Sequence, residues 1–358
     1  MGKDYSSGME IASGQRLREL PGPLLITGHT GFKGTWMTFL LEHLEVPVVG
    51  YSLEPEKDSL FDRAKRTGAI PEIFADIRDY EALEKFIDKH KPSTIIHMAA
   101  QPLVLKSYEN PRETFDVNVM GTVNVLDIAF KKEFVKAIIV VTTDKVYRND
   151  NSGRAFVETD PLEGKDPYSA SKVGTEAVVA AWQQIAKVSG GPKVASVRAG
   201  NVIGGGDYAE NRLFADLARA VLNDSIIRIR NKNSSRPWQH VLDPLNGYLE
   251  LLVKLIHSHL SGSYNFGPTE NSITVGNIID HLEIQYPRLL KIEYMRVESE
   301  YEAMKLELNV KKSEIDFGWK PKWNQLLAIN RSVEWWINYK IHGNATDLVV
   351  GDILDFFE

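Results

Sequence analysis

The sequence predicts an α/β fold, a doubly wound parallel sheet with a smaller C-terminal lobe. Three observations carry this expectation. Short apolar runs alternate with longer spans of helical character from Leu24 to Arg198. Those runs are rich in Val, Ile and Leu with little polar alternation, the pattern of strands buried on both faces of a parallel sheet. After Arg198 the punctuation changes: Gly200, the run Gly204 to Gly206, Asn231 to Ser235, Gly262 and Gly267-Pro268 cut the chain into shorter pieces. The strands are expected at Leu24 to Thr27, Val46 to Tyr51, Ile73 to Ala75, Thr94 to Met98, Ala137 to Thr142 and Lys193 to Arg198, each followed by a helical span. The segment from His240 to Ser261 reads as a strand end and a helix that return to the sheet. Met1 to Leu20 is polar and reads as a flexible tail; residues 341–358 form a second tail with an apolar end, Ile353 to Phe357.

Composition bounds the function. At 358 residues the chain exceeds the usual domain of about 100 to 200 residues. Hydrophobic residues are 43% and charged residues 25%, an ordinary globular balance. A net charge of −6 offers no global positive field for nucleic acid or an anionic membrane. With no cysteine, disulfides, thiolate metal sites and a cysteine nucleophile are excluded, which suits the cytoplasm. No run approaches the length of a membrane span, and the first twenty residues lack an apolar leader.

The first strand ends in Thr27-Gly28-His29-Thr30-Gly31-Phe32-Lys33-Gly34, ahead of the helical span Trp36 to His43. Glycines at this spacing permit a tight turn, close approach to a pyrophosphate, and packing of the helix on the sheet, with the helix N-terminus facing the anion. Gly28, Thr30, Gly31, Phe32, Lys33 and Gly34 are therefore candidate cofactor-binding residues of a Rossmann dinucleotide site. The tip of the second strand, near Tyr51, carries no arginine for a 2′-phosphate, and NAD is favoured over NADP. Asp76 and Ile77 end the third strand, where they could contact adenine; a plain turn aspartate is the alternative.

Asp166-Pro167-Tyr168-Ser169-Ala170-Ser171-Lys172 has an N-cap aspartate and a first-turn proline, which start a helix and put Tyr168 and Lys172 on one face at i and i+4. A lysine ammonium beside a phenol favours phenolate, turning tyrosine into a usable base, and can also hold a nicotinamide ribose.

Together these motifs resemble the extended short-chain dehydrogenase/reductases, the NAD-dependent epimerases and dehydratases of nucleotide-sugars. The resemblance runs from Leu24 to Trp323 and is most specific for the CDP-glucose 4,6-dehydratase branch. It rests on the glycine loop, His97-Met98-Ala99-Ala100-Gln101-Pro102-Leu103-Val104, Asn118-Val119-Met120-Gly121-Thr122, Thr143-Asp144-Lys145, Arg198 to Asp207 and Arg236-Pro237-Trp238-Gln239-His240-Val241. It implies tightly bound NAD, held also by Ala99, Ala100, Gln101, Asn118, Tyr168 and Lys172. It implies CDP-glucose as substrate, with Asn201, Arg212 and Arg236 on its diphosphate, and a role in deoxysugar and lipopolysaccharide biosynthesis. Thr143, Asp144, Lys145, Tyr168 and Lys172 are the implied catalytic residues: Tyr168 takes the proton of the carbon-4 hydroxyl, Lys145 the proton of carbon 5, and Asp144 protonates the departing carbon-6 hydroxyl. Relatives generally carry glutamate where Lys145 stands.

The implied division is 21–198 with 239–262 for NAD, and 199–238 with 263–340 for the nucleotide-sugar. A homodimer is implied through the helices bearing Tyr168 and Asn118, where Val173, Ala177, Ala180 and Ala181 form a small apolar stripe; burial within the subunit is the alternative. His29 and His97 read equally as cofactor contacts or structural groups, Asn265, Trp319 and Trp323 as structural, and no histidine spacing suggests a metal. A 4-epimerase, another nucleotide-hexose dehydratase, and a cofactor-bound regulatory protein are the alternatives; the epimerase would not need Asp144-Lys145, and the intact Thr143, Tyr168 and Lys172 argue against a protein without turnover.

Overall fold

The computed structural model describes residues 13–150, 153–209, 212–229, 231–295 and 306–358. Its centre is a seven-stranded sheet whose strands we number β1 (Leu24–Thr27), β2 (Val48–Ser52), β3 (Glu72–Phe74), β4 (Thr94–His97), β5 (Ala137–Val141), β6 (Lys193–Ala199) and β7 (Gly262–Phe266). The order is β7-β6-β5-β4-β1-β2-β3, and every pairing is parallel. β1, β2, β4 and β5 are buried along their whole length because helices cover both faces, which is why they carry no polar alternation. The direction of winding reverses between β1 and β4, so the crevice at their carboxyl ends is where a ligand of such a sheet binds.

Helices of ten or more residues are α1 (Phe32–His43), α2 (Tyr80–His90), α3 (Gly121–Phe130), α4 (Pro167–Ser189), α5 (Leu213–Asn223), α6 (Leu242–His257), α7 (Val275–Gln285), α8 (Gln325–His342) and α9 (Ala345–Phe357). α1 is apolar almost all round and buried from Gly34 to Leu41, since it lies between the sheet, α6 and α9. The segment from His240 onward does return to the sheet: α6 packs on β5 and β6 and is buried from Leu242 to Val253. A separate cluster forms the lobe, with Phe214, Leu217, Ile227, Trp238, Ile278, Ile279 and Ile329 between α5, α7 and α8.

Three boundaries differ from expectation. β7 pairs with β6, Ser263 opposite Ser196 and Phe266 opposite Ala199, so residues 263–266 belong to the sheet and not to the lobe. Its polar residues hid it, and those residues serve a buried hydrogen-bond network. The C-terminal stretch is no tail: α9 buries Val349, Ile353 and Phe356 in the same cluster as Trp36 and Leu40, and the Asn344 side chain caps it. At the other end, residues 13–18 are helical with Leu17 buried, and Arg18 donates to the Leu44 carbonyl; residues 1–12 of the expected flexible tail lie outside the described residues. No described helix is long and apolar enough to cross a membrane.

Candidate functional site

The glycine loop links β1 to α1 at the switch point, and its three glycines do different work. Gly28 has φ +77°, and a Cβ there would lie 2.7 Å from the Ala99 nitrogen. A Cβ on Gly34 would lie 2.1 Å from the Gly28 carbonyl oxygen, so this glycine closes helix onto loop. Gly31 is the N-cap of α1, is exposed, and makes no side-chain cap. A Cβ there would meet only the Gly28 oxygen, at 3.4 Å. The first amides of a twelve-residue helix are thus left without a side-chain acceptor, beneath an open cradle. Thr30 ties the loop to β2, sharing a 2.7 Å hydrogen bond with Ser52 and donating to the Leu53 carbonyl. Phe32 lies against Gly204 of the lobe-side glycine run.

Across the crevice, β4 runs into Ala99-Ala100-Gln101. The Asn118 amide clamps this stretch, accepting from the Gln101 nitrogen at 2.8 Å and donating to the Gln101 carbonyl and to Ser171. The Gln101 side chain in turn holds Leu103 and Thr114. Asn118 and Gln101 therefore shape the crevice wall chiefly through each other. Asn118 sits in a π-helical turn, Asp116–Met120, the kind of irregularity that re-aims side chains at functional sites.

At the end of β3 the Asp76 carboxylate is taken by Arg78, at 2.6 Å from Nη2, and Arg78 holds it below the usual carboxylate range. Arg78 carried no signal in the spacing. The Ile77 side chain is buried, and a Cβ on Gly121 would clash with it at 2.7 Å, so only its backbone faces the crevice. Both histidines are structural: His29 bonds Glu72 at 2.8 Å beneath Gly50, and His97 lies between Thr27 and Thr122, where burial pushes it down to about 3 and keeps it neutral.

The catalytic candidates meet at the ends of β5 and the start of α4. Asp166 caps α4 in a reciprocal capping box with Ser169, as the sequence predicts. Tyr168 and Lys172 are consequently in the first two turns, 8% and 5% exposed. Lys172 Nζ donates to the Val141 carbonyl at 3.1 Å, and burial, then the Lys33 ammonium, bring it down to about 8. Burial pushes Tyr168 up to about 12, opposed by a hydrogen bond with Thr143 and by Arg212. The lysine expected to lower this phenol is directed at a carbonyl; Thr143 and Arg212 do the lowering.

Thr143 is the N-cap of a single 3₁₀ turn, Asp144–Val146, and its hydroxyl donates to Asp144 Oδ1 at 3.1 Å. A hydroxyl-to-carboxyl chain thus runs from Tyr168 through Thr143 to Asp144. The Asp144 carboxyl is 3% exposed, and burial raises it against the pull of Lys145, Thr143, Arg236 and Lys33. Gly200 makes room for it: a Cβ there would stand 3.1 Å from Asp144 Oδ2 and 2.8 Å from Pro237. Lys145, by contrast, is exposed.

Lys33 departs from its expected place. Its ammonium is pulled down to about 8 by burial and Arg212, while Asp144 and Asp207 raise it, so this loop lysine faces Asp144 and Asp207. Arg212 bonds Asp207 at 3.3 Å and faces both Tyr168 and Lys33. Arg236 donates to the Ser235 carbonyl and faces Asp144. Asn201 is partly exposed, its carbonyl holding the Gln239 nitrogen. Asp207 and Gly200 were not singled out from the sequence; Asp207, five residues before Arg212, was the readable signal. No group of three His, Asp or Glu among the described residues is placed to hold a metal.

A sheet of this order, an uncapped helix N-terminus behind a glycine cradle, and a buried tyrosine and lysine beside it define a dinucleotide-dependent enzyme that acts on hydroxyl groups. Residues 24–267 match the NAD dependent epimerase/dehydratase family, and the chain belongs to that family. It is 39% identical over 321 residues to the CDP-glucose 4,6-dehydratase of Salmonella typhimurium, covering 87% of this chain and 89% of the relative. It is 25% identical to the dTDP-glucose 4,6-dehydratase of Xanthomonas campestris, covering 87% and 92%. Among solved structures, the dTDP-glucose 4,6-dehydratase of Bacillus anthracis in complex with NAD superposes with a TM-score of 0.76 at 22% identity, covering 90% of this chain and 98% of that one. The UDP-glucose 4-epimerase of Thermus thermophilus with NAD gives 0.75 at 24%, covering 88% and 98%. These structural likenesses establish the fold.

NAD fits the residues present. The open space above Gly31 and the uncapped α1 amides suit its pyrophosphate.

Proposed function

We propose that this chain is a nucleotide-sugar 4,6-dehydratase, a hydro-lyase that converts CDP-glucose to CDP-4-keto-6-deoxyglucose in the cytoplasm. The observation that carries this reading is Asp144: a buried carboxyl with a raised proton affinity, joined through Thr143 to Tyr168, which an enzyme that only oxidises and reduces carbon 4 does not need. The identity with the Salmonella CDP-glucose 4,6-dehydratase supports the nucleobase and the sugar.

When bound, NAD would supply the hydride acceptor for carbon 4 and the hydride for carbon 6. The chain's own residues manage the protons. Tyr168 as phenolate accepts the proton of the carbon-4 hydroxyl, with Thr143 bonding the same oxygen. The resulting ketone acidifies carbon 5. Lys145 serves as the base for the carbon-5 proton, and Asp144, protonated, gives its proton to the carbon-6 hydroxyl, which leaves as water. The carbon-5 proton then goes back to carbon 5, and the proton taken by Tyr168 passes along the Thr143 hydroxyl to Asp144, so the sum is loss of one water with both groups restored. Arg212 and Arg236, with Asn201, hold the diphosphate, a guanidinium fork matching phosphate oxygens. In this scheme the sheet domain serves the cofactor and the lobe serves the nucleotide.

A homodimer fits the surface. Ala177, Ala180 and Ala181 of the small stripe are exposed, not buried within the subunit. Beside them Leu105, Phe115 and Met120 are exposed on helical turns that pack on α4. A second copy covering this face makes it a helical interface; sedimentation as a monomer would remove this part of the reading.

The test is incubation with CDP-, dTDP-, GDP- and UDP-glucose, read by mass spectrometry for loss of one water. Loss from CDP-glucose above the others is expected, and loss from none refutes the dehydratase. Substrate deuterated at carbon 4 separates the epimerase: a dehydratase delivers the label to carbon 6 of the product, an epimerase leaves it at carbon 4 with the carbon-6 hydroxyl intact.

A further inference from the structure

Behind the catalytic turn, side chains from β6, β7, α4 and the loop after β5 close on one buried ion pair. Glu176 lies one turn beyond Lys172 on α4, and Arg198 lies near the end of β6; their side chains are 3% and 4% exposed. Arg198 donates Nε to Glu176 Oε1 at 2.9 Å and Nη2 to Oε2 at 2.8 Å. Its remaining N–H groups reach the Tyr147 hydroxyl at 2.9 Å, the Glu158 carbonyl at 3.1 Å and the Ser263 hydroxyl at 3.0 Å, so all five guanidinium donors have acceptors. Glu176 also accepts from Thr142 at 2.5 Å and from Ser196 at 2.7 Å.

Burying two full charges is an inefficient way to hold a sheet together, because apolar residues of the same volume usually do as well or better. What apolar residues cannot supply is directed grip, and the direction here is specific. Thr142 is the residue before the Thr143–Asp144–Lys145 turn and Tyr147 is the residue after Val146. Thr142 hangs from the Glu176 end of the ion pair, Tyr147 from the Arg198 end, and Tyr147 is further fixed by donating to Asn265 of β7 at 2.6 Å. Within the turn Thr143 bonds Asp144, the Lys145 amide and Tyr168, and the Val146 carbonyl accepts from the Glu163 nitrogen, so the side chains of Thr142 and Tyr147 are what tie its two ends to the ion pair. Because Glu176 shares α4 with Tyr168, one rigid helix carries both the proposed base and the anchor of the turn that bears the proposed acid.

We infer that Glu176 and Arg198 are positioning residues, which hold Thr143, Asp144 and Lys145 in register with Tyr168 by gripping Thr142 and Tyr147. The inference rests on the dehydratase reading for the roles of that turn. Misplacement of reacting groups by about 1 Å costs on the order of a hundredfold in rate, whereas binding of the distant nucleotide is untouched.

The experiment compares Thr142→Val, Thr142→Ser and Glu176→Gln with the wild type on CDP-glucose, measuring kcat, KM and the thermal midpoint. Thr142→Val keeps the strand shape and loses only the hydroxyl; kcat is expected to fall about tenfold or more with KM and the thermal midpoint close to wild type. Thr142→Ser restores the hydroxyl and should restore kcat. Glu176→Gln should lose more turnover than Thr142→Val, and if it fails to fold, the Thr142 pair decides alone. Adding Arg198→Met to Glu176→Leu supplies the contrast, since an apolar pair should recover stability without recovering kcat. Wild-type kcat in Thr142→Val, or recovery of both stability and kcat in the apolar double variant, overturns the inference. A wild type that removes water from none of the sugars overturns the dehydratase reading and the inference with it.

Discussion

Gly31→Ala isolates cofactor binding from folding, because the three loop glycines are constrained differently. At Gly28 the φ of +77° costs an L-residue about 1–2 kcal/mol, and the added Cβ would stand 2.7 Å from backbone. At Gly34 the Cβ would overlap a carbonyl oxygen at 2.1 Å, which the loop cannot accommodate without opening. Gly31 has φ −73° and ψ 170°, open to any residue, and its nearest neighbour would be at an ordinary 3.4 Å. The protein should therefore lose only the difference between glycine and alanine as N-cap, less than about 1 kcal/mol. The methyl instead enters the space where a pyrophosphate would approach the α1 amides. Forcing the anion outward by a carbon's width weakens several charge-assisted bonds; at 1.4 kcal/mol per decade, a loss of about 1.5–3 kcal/mol is roughly a tenfold to hundredfold rise in the Kd for NAD. Calorimetric titration of NAD beside a thermal melt of the unliganded protein reads both quantities. An unchanged Kd in Gly31→Ala would show that the pyrophosphate does not lie over this helix, and a collapse of the melting temperature would show that Gly31 is a packing glycine like Gly34.

Tyr168→Phe should leave the fold and NAD affinity near wild type and reduce turnover by about 10²- to 10⁴-fold, the scale of a lost acid–base group; near-normal turnover in the folded variant removes Tyr168 from the chemistry. Asp144→Asn should abolish water loss and stabilise the protein at neutral pH. Burial raises the folded-state proton affinity of Asp144 above its unfolded value, so wild-type stability from this group is complete below the unfolded pKa and declines as pH rises through the raised one. The gap in melting temperature in favour of Asn should therefore open as pH increases, and a gap that closes contradicts the assignment. Lys145→Ala should block elimination more than oxidation, so that quenched reactions contain 4-ketohexose that still holds its carbon-6 hydroxyl; equal loss of both steps makes Lys145 a binding group.

The parts of this architecture legible in the sequence are those that local physics determines. Six apolar runs gave strands because a strand covered on both faces has no reason to alternate, and Asp166-Pro167 gave the start of α4 because capping is decided within four residues. Tyr264 to Pro268 resembles a return strand of the family, yet residues 263–266 were assigned to the lobe, since Ser263 and Asn265 point into a polar network whose partners, Glu176, Arg198 and Tyr147, are distant in sequence. α9 was read as a tail because its apolar face has meaning only against α1 and α8, which are distant or separated from it by a turn in the sequence. The same limit applies to charge. Spacing brought Lys33 to a phosphate loop and could not show that its ammonium also faces Asp144; likewise nothing local showed that Arg78 occupies Asp76.

The pocket's electrostatics follow from how few anions share it. Lys33, Arg212 and Arg236 converge on Asp144 and Asp207, Asp207 being bonded by Arg212, while Lys172 has Lys33 on one side and Glu176 on the other. Without a ligand the cations disfavour one another, which contributes to holding both lysines near 8. A nucleoside diphosphate reverses this balance. If the arginines hold the diphosphate as proposed, its negative charges would offset the repulsion between Lys33 and Arg212 in the free protein. The effect on Asp144 runs the other way. Lys33 and Arg236 are two of the groups that hold its proton affinity down; once a diphosphate shares their charge, and the sugar covers the pocket, Asp144 holds its proton more firmly. Under the proposed mechanism, Asp144 would thus hold its proton most firmly when a substrate is present to receive it.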